Sequence, residues 1–447
     1  MSYLYSKLLT NIVLPLGDVL TRNQIMKYYN LYGKMQWMDR HSIRAYQDNK
    51  LIETLSLAYK EVPFYNNLYS KHGVDINSIK TINDLPRLPV VTKSDLRKSY
   101  PDGCTRSTKF PCREYCTSGS SGNPFAVRVD NETMSMARAL MFLRANYSGW
   151  SIGEPYLQTG MSLDRGIVRK LKDILLKVEY ASAFDLSDRV LDMYLDLIER
   201  KKLDYFMGYA GSLYCVAERA LAVGFNTPLK GVVSWGDNLY AHYREKIERA
   251  FKCRVTDTYG CGEGIQIAAQ CGRDDGAYHI FMPHVALEVV DDDGNPVPPG
   301  HGGNIVLTRL HPGAMPLIRY WVGDIGVKSG EESCSCGRGF ELLAKVEGRD
   351  TDVVVTPRGN RLIVHFFTGI FEYYTSIDTF KVVQEERDRI TVLLVPRSDF
   401  KPEHWESLKA EILEKGDSEL IIDMKLVDEI PLERSNKRRF VVSTIRR

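Results

Sequence analysis

Residues 49–69 place Leu51, Leu55 and Ala58 at helical spacing, which predicts a helix ending near Pro63. A similar stripe opens the chain: Leu4, Tyr5, Leu8, Leu9, Ile12 and Val13 recur at that spacing until Pro15 interrupts them. Core packing accounts for this stripe better than docking on a membrane surface. Residues 81–95 contain two prolines and two Asp-Leu steps, a pattern of short turns with a helix start at Thr92. Beyond them, apolar runs alternate with helical stretches. Gly231-Val-Val-Ser-Trp235 reads as a strand, Asp237 and Asn238 as caps of a helix through Phe251, and Cys253-Arg-Val-Thr-Asp257 as the next strand. Strand, helix, strand in that order predicts βαβ units and an α/β fold. Residues 285–310 differ, with short β runs broken by Asp291-Asp-Asp-Gly294 and Pro298-Pro-Gly300 as in a meander. The C-terminal stretch reads as a separate small α+β unit with strands at 352–355, 379–383 and 390–395 and a helix over 403–415. The expected organisation is a large N-terminal domain over 1–348 and a small C-terminal domain over 349–447, joined near Arg349.

Composition narrows the class. With 44% hydrophobic and 26% charged residues the chain has the balance of a globular protein. Its 59 Lys and Arg against 57 Asp and Glu leave a net charge of +2, too weak a field for nucleic-acid binding. The first twenty or so residues lack the basic region and unbroken apolar core of a secretion signal, and no later run is long enough to span a bilayer. A cytoplasmic protein without stable membrane insertion is expected. Nine cysteines, an odd count unevenly placed, point to reduced thiols or metal ligands rather than a disulfide scaffold.

Five short segments carry candidate chemistry. Thr117-Ser-Gly-Ser-Ser-Gly-Asn-Pro124 follows a strand-like Arg113-Glu-Tyr-Cys-Thr117. Glycines let backbone N–H groups close around phosphate oxygens, and the hydroxyls of Thr117, Ser118, Ser120 and Ser121 add donors, while Pro124 stiffens the exit. The Gly-Lys-Ser/Thr ending of the common P-loop is absent, and a Ser/Gly run by composition alone is more often a flexible turn. Asp257-Thr-Tyr-Gly-Cys-Gly-Glu263 lies at a strand end, where ligands of open α/β sheets collect. There Tyr259 would stack on a base and Glu263 would hold a magnesium ion, or the stretch is simply a tight turn with a solvated glutamate. In Arg319-Tyr-Trp-Val-Gly-Asp324 a carboxylate after a glycine turn suits two ribose hydroxyls. Glu347-Gly-Arg-Asp-Thr-Asp352 marks the domain joint, and Arg434-Ser-Asn-Lys-Arg-Arg-Phe440 lies near the end.

In this order and spacing the five segments resemble the adenylate-forming superfamily of acyl-CoA synthetases, peptide-synthetase adenylation domains and luciferases. The nearer resemblance is to the phenylacetate–CoA ligase branch and its CapK-type relatives from capsular-polysaccharide gene clusters. It rests on Glu61-Val-Pro-Phe-Tyr65, Leu85-Pro-Arg-Leu-Pro-Val-Val-Thr-Lys93, Ala314-Met-Pro-Leu-Ile-Arg-Tyr320 and the Cys-x-Cys-Gly-Arg of residues 334–338. The resemblance implies an adenylate-forming N-terminal domain of several subdomains and a small mobile C-terminal lid. It implies ATP-dependent conversion of a carboxylic acid to an acyl-adenylate, with release of pyrophosphate and then acyl transfer to coenzyme A. Carried over by position, Thr117, Ser118, Gly119, Ser120, Ser121 and Gly122 would grip the β- and γ-phosphates, and Glu263 would help place Mg2+. Tyr259, Gly260, Gly236 and Asp237 would wall the adenine, and Asp324 and Arg349 would hold the ribose. Lys437 would be the catalytic lysine, a cation between two mutually repelling groups, the substrate carboxylate and the α-phosphate. Two positions depart from the family pattern: Thr351 stands where an aspartate usually forms the pivot of the small domain, and Asn436 where a glycine usually precedes the lysine.

Cys271, His279, Cys334 and Cys336 form a candidate tetrahedral set for structural Zn2+, as the same element does in members of the branch; the alternatives are buried free thiols, or Cys253 and Cys261 as competing ligands. Residues 147–150, Tyr209-Ala-Gly-Ser212 and Trp235 would line an aryl pocket or serve as core. The acceptor is a thiol or an amine: coenzyme A first, then an amine of a sugar or amino acid in surface-polysaccharide assembly. A nucleotide-binding regulator without turnover is the reading from another class. Dimerisation is common in the resembled branch, so a homodimer is also an expectation.

Overall fold

A computed structural model describes residues 2–106, 111–117, 125–161, 165–236, 238–273, 276–331, 333–347, 354–362, 364–371, 373–374, 376–430 and 440–445. The chain divides into two compact units, one of Met1–Tyr115, Ala126–Tyr147 and Thr258–Glu347, the other of Cys116–Phe125, Ser148–Asp257 and Gly348–Arg447.

The first unit begins with helices. Asp39 caps Arg40–Glu61 by accepting from the Ser42 amide, and Val62 then breaks the helix before Pro63–Lys71. Leu51, Leu55 and Ala58 are buried on one face as their spacing predicts. Thr92 opens the helix Lys93–Ser99 with a reciprocal cap to Asp95, also as expected. The N-terminal stripe is a correction. Ser2–Leu8, a π-helical turn Leu9–Val13 and Leu14–Thr21 run on continuously, yet Leu9 is 0% exposed while Leu4 is 73% and Leu20 is 84% exposed. The stripe holds two adjacent faces, and only that of Leu9 packs inward. The wide π turn, with Leu14 donating to the carbonyl of Leu9, keeps Leu4, Leu8, Ile12 and Leu16 on the outer side.

The strands of this unit pair antiparallel. Residues 258–261 pair with Ile265–Gln270, which pairs with Tyr278–Ile280, then Leu342–Glu347, Tyr320–Lys328, Gly302–Arg309 and Val285–Val290. The meander expected over 285–310 is two of these strands.

The second unit holds the parallel βαβ layer. Its strands run in the order Val178–Ser182, Tyr156–Gly160, Tyr205–Tyr209, Gly231–Trp235 and residues 255–257. Tyr205–Tyr209 and Gly231–Trp235 are buried on both faces, so the sequence there reads as near-continuous apolar runs, whereas the edge strand Val178–Ser182 is largely half-buried. The helices Asp188–Lys201, Ala210–Val223 and Ala241–Phe251 cover the sheet through Leu191, Ile198, Leu213, Val216, Ile247 and Phe251. Tyr240, and not Asn238, is the N-cap residue of the last of these, while Asp237 lies outside the described residues. The strand expected over 253–257 begins at Val255 instead. Replacing Phe251 by Ala would cost about 3–5 kcal/mol.

The C-terminal segment of the same unit has a four-stranded sheet, ordered Ile421–Leu426, Arg389–Pro396, Ile377–Glu386, Val441–Ser443, with the helix Pro402–Lys415 crossing between the two parallel strands Arg389–Pro396 and Ile421–Leu426. A helix Val364–Phe371, unforeseen in the sequence, seats Phe366 against Phe184, and Asn360 Oδ1 accepts from the Leu186 amide at 2.6 Å. No helix among the described residues is long and apolar enough to cross a membrane.

Candidate functional site

The Tyr259–Glu263 and Arg319–Asp324 stretches of the first unit meet at one hairpin. Strand register slips between Tyr259 and Gly260, and a Cβ on Gly260 would lie 2.9 Å from the carbonyl oxygen of Ile265, so only glycine permits this closeness. The turn closes with the Gly264 amide donating to Cys261 at 3.1 Å and Gly264 at φ +77°. Facing it, Tyr320–Lys328 slips register against Gly302–Arg309 in the stretch that holds Gly323, at φ +94°, and Asp324. These two irregularities bring Tyr259 and Asp324 together: the Tyr259 hydroxyl donates to Asp324 Oδ2 at 2.9 Å. Burial and then the Asp324 charge push the Tyr259 phenol well above its ordinary range, so it stays a donor.

Glu263 sits in the turn, 2% exposed. Its Oε1 accepts from the Tyr320 hydroxyl at 2.6 Å and lies 3.1 Å from Lys93 Nζ. Its Oε2 is buried with no hydrogen-bond partner. Burial drives the carboxyl up, but the Lys93 charge, then the hydrogen bonds from Tyr320 and the neighbouring Cys261 thiol, outweigh it and hold the group below its ordinary value. Glu263 is therefore a buried carboxylate with one oxygen anchored and the other without a hydrogen-bond partner, the type of single oxygen ligand that a hard divalent cation takes alongside water and phosphate.

Lys93 and Tyr320 lie in segments that carry the resemblance, but no local pattern assigns either a role. Val91 donates to the Arg319 carbonyl and accepts from the Trp321 amide, both at 2.9 Å, so Lys93 starts its helix beside Tyr320. Arg319, with φ +49°, ties the same pieces together by donating to Glu288 at 3.0 Å and to the carbonyl of Leu88 at 2.6 Å. The local signal for Lys93 was its place at the first position of a capped helix.

At the other end of Ile265–Gln270 lies the Cys/His group. Cys271 follows that strand, and His279 sits on Tyr278–Ile280, opposite Ala269 on one side and Leu342 on the other. Cys334 and Cys336 come from a tight turn closed by the Gly337 amide to the Cys334 carbonyl at 3.1 Å. The four ligand atoms lie within 4.8 Å of one another, with 3.6 Å between the sulfurs of Cys271 and Cys334 and 3.4 Å from Cys336 Sγ to His279 Nε2. An edge of roughly 3.8 Å joins thiolates around a tetrahedral ion with bonds near 2.3 Å, so the set fits a closed four-ligand site. Burial raises the Cys336 thiol, yet the amide and guanidinium of Arg338 bring it below the ordinary value. Cys253 and Cys261 lie outside the group.

Gly236 ends Gly231–Trp235 in the second unit at φ +82°, and Ser234 there donates to Asp257. Ser118, Gly119, Ser120, Ser121, Gly122, Asp237, Arg349 and Lys437 lie outside the described residues, and of Thr117 only the backbone strand is described. Among the candidate acyl-pocket residues, Tyr147 packs its ring edge-on to His279 with Arg338 4.0 Å over its face, and Trp150 donates to the Glu154 carbonyl at 3.0 Å. Both serve packing.

Residues 175–315 match the family model described as AMP-binding enzyme, and residues 354–444 that described as CapK C-terminal domain. The phenylacetate-coenzyme A ligase of Thermus thermophilus is 27% identical over 340 residues, covering 72% of this chain and 74% of the ligase. Protein CapK of Staphylococcus aureus is 22% identical over 441 residues, covering 96% of this chain and 95% of CapK. A 2-hydroxyisobutyryl-CoA ligase in complex with 2-HIB-AMP and CoA has a similar fold, with a TM-score of 0.61 at 20% identity over 92% of this chain and 91% of that one.

Proposed function

The chain belongs to the adenylate-forming superfamily, in its phenylacetate–CoA ligase-like branch near CapK, and on that premise we propose that it activates a carboxylic acid with ATP and passes the acyl group to coenzyme A. In the first half-reaction a carboxylate oxygen bonds to the α-phosphorus and pyrophosphate leaves. In the second, the coenzyme A sulfur bonds to the acyl carbon, the acyl–phosphate bond breaks and AMP leaves. The Glu263 turn is the observation that carries this reading, because an anchored carboxylate with one unsatisfied oxygen lies on the same hairpin as the Tyr259–Asp324 pair.

In this reading Glu263 Oε2 is a ligand for Mg2+, which when bound neutralises phosphate charge. Lys93 and Tyr320 hold the other oxygen still, so the carboxylate is aimed before ATP arrives. Asp324 accepts from the ribose hydroxyls with its direction set by Tyr259, and Arg349 assists. Tyr259, Gly260, Gly236 and Asp237 flank the adenine. Thr117, Ser118, Gly119, Ser120, Ser121 and Gly122 take the β- and γ-phosphates. Lys437 is the cation between the attacking carboxylate and the α-phosphate, carried by a C-terminal domain that we place over 349–447. Cys271, His279, Cys334 and Cys336 hold a structural Zn2+, closed by four ligands and outside the reaction. A cytoplasmic homodimer without a nucleic-acid partner completes the reading, the last supported by the net charge of +2.

A second acceptor is favoured by one observation. The CapK alignment runs over 96% of this chain, where that with the Thermus thermophilus ligase runs over 72%. That is compatible with amide formation with an amine of a sugar or amino acid in surface-polysaccharide biosynthesis. Mass spectrometry of products from ATP, Mg2+ and a panel of acids separates the two. An acyl-CoA formed only with coenzyme A present supports the first, and an amide formed without it supports the second. Absence of AMP and of any acyl product across the panel overturns both.

A further inference from the structure

The helix Ile167–Leu176 of the second unit buries none of its ten residues. Its outward side chains are apolar: Ile167 is 77% exposed, Val168 68%, Leu171 60% and Ile174 73%. At 100° per residue these four span an arc of about 120°. Lys170 and Lys172, both exposed, fall about 40° beyond its two edges. From Arg165 to Lys177 there are five basic residues and one acid. That acid, Asp173, is engaged by Arg165 Nε at 2.7 Å, and the same guanidinium lies 4.0 Å over the Tyr180 ring. The helix is thus clamped to its unit through the acid, which leaves Lys170 and Lys172 as the basic charge flanking the outer face.

A helix this short gains little stability from its own hydrogen bonds and depends on burying an apolar face. This one turns that face to water. The surface that would cover it must accept a convex apolar ridge and offer negative charge along both rims at one depth. A layer of acidic phospholipid headgroups does so: the ridge sinks to the upper acyl carbons while each lysine bends its ammonium back to a phosphate. A protein groove would need acids built on two opposite walls, whereas an anionic bilayer supplies them everywhere. We propose that the helix Ile167–Leu176 docks the protein, without insertion, on membrane surfaces that contain anionic lipid.

The test is flotation of the full chain with vesicles of phosphatidylcholine, alone or mixed with phosphatidylglycerol. The expected result is partition into the anionic vesicles, little into the neutral ones, and weakening at high salt. Lys170→Gln with Lys172→Gln lowers the partition coefficient about thirtyfold, since each basic residue near such a surface contributes about a factor of five. Leu171→Ser with Ile174→Ser lowers it as strongly, while Leu8→Ser with Ile12→Ser, on the exposed N-terminal stripe, leaves it unchanged. Circular dichroism and pyrophosphate release without vesicles stay as in the wild type for all three. Wild-type protein that ignores anionic vesicles, or binds neutral ones equally, overturns the proposal. So do lysine and leucine variants that partition like the wild type, a loss confined to the N-terminal variant, or self-association abolished by Leu171→Ser with Ile174→Ser in protein that binds no vesicle.

Discussion

The strand Ile265–Gln270 has a different kind of site at each end. Before it, Glu263 has one oxygen fixed by Tyr320 and Lys93 and the other without a partner. After it, Cys271 joins three more ligands whose donor atoms lie within 4.8 Å of one another. The first arrangement is open and the second closed. An open donor keeps room for a ligand that comes and goes with the substrate, whereas four converging protein ligands leave an ion no free position and fasten strands and turn together. The same strand therefore carries proposed chemistry at one end and a proposed scaffolding site at the other.

That contrast breaks if substitutions at the two ends behave alike. The largest effect on rate belongs to neither end: Lys437→Ala is expected to lower acid-dependent pyrophosphate release by about 10²–10³-fold while ATP binding persists. Glu263→Gln follows, with a loss of about 10²-fold and a raised Mg2+ requirement in a titration at fixed ATP. Lys93→Met leaves Glu263 in place without its cation, and the Mg2+ concentration for half-maximal nucleotide binding is expected to shift by about tenfold or more. An unchanged Mg2+ titration would reduce Lys93 to a packing role. Tyr259→Phe removes one hydrogen bond to Asp324, and fluorescence titration is expected to show about fivefold weaker ATP binding. At the closed end, Cys334→Ser is expected to lose the metal by elemental analysis and to destabilise the unit by on the order of 4 kcal/mol in denaturant melts. Pyrophosphate release per folded molecule should stay unchanged, and a selective rate loss there would put the closed site into the chemistry.

Both ends were legible in the sequence as residue types, because phosphate, cation and thiophilic-metal chemistry each restrict which side chains serve. What was not legible is the geometry that makes one end open. Lys93 and Tyr320 reach Glu263 from distant parts of the chain, and nothing local to either residue states the distance. The α/β order and the Thr92 helix start followed from periodicity and capping. Val364–Phe371 has its apolar positions Val364, Phe366, Phe367, Ile370 and Phe371 at helical spacing, but over only two turns, a window too short to separate a helix from a buried strand. The N-terminal stripe was misassigned because periodicity locates an apolar face but does not say what covers it: Leu9 is buried, while Leu8, one position away, is exposed. For Lys437 and the Ser/Gly segment the sequence order and the family carry the whole assignment.

The central claim is that ATP is cleaved at the α-phosphate by an acid bound to this chain. Its most direct test is pyrophosphate release with ATP and Mg2+ across a panel of aryl and aliphatic carboxylic acids, without any acceptor. The account expects release that begins only when one class of acid is added and that disappears in Lys437→Ala. Nucleotide binding with no acid-dependent release from any member of the panel, or release that Lys437→Ala leaves intact, would contradict it.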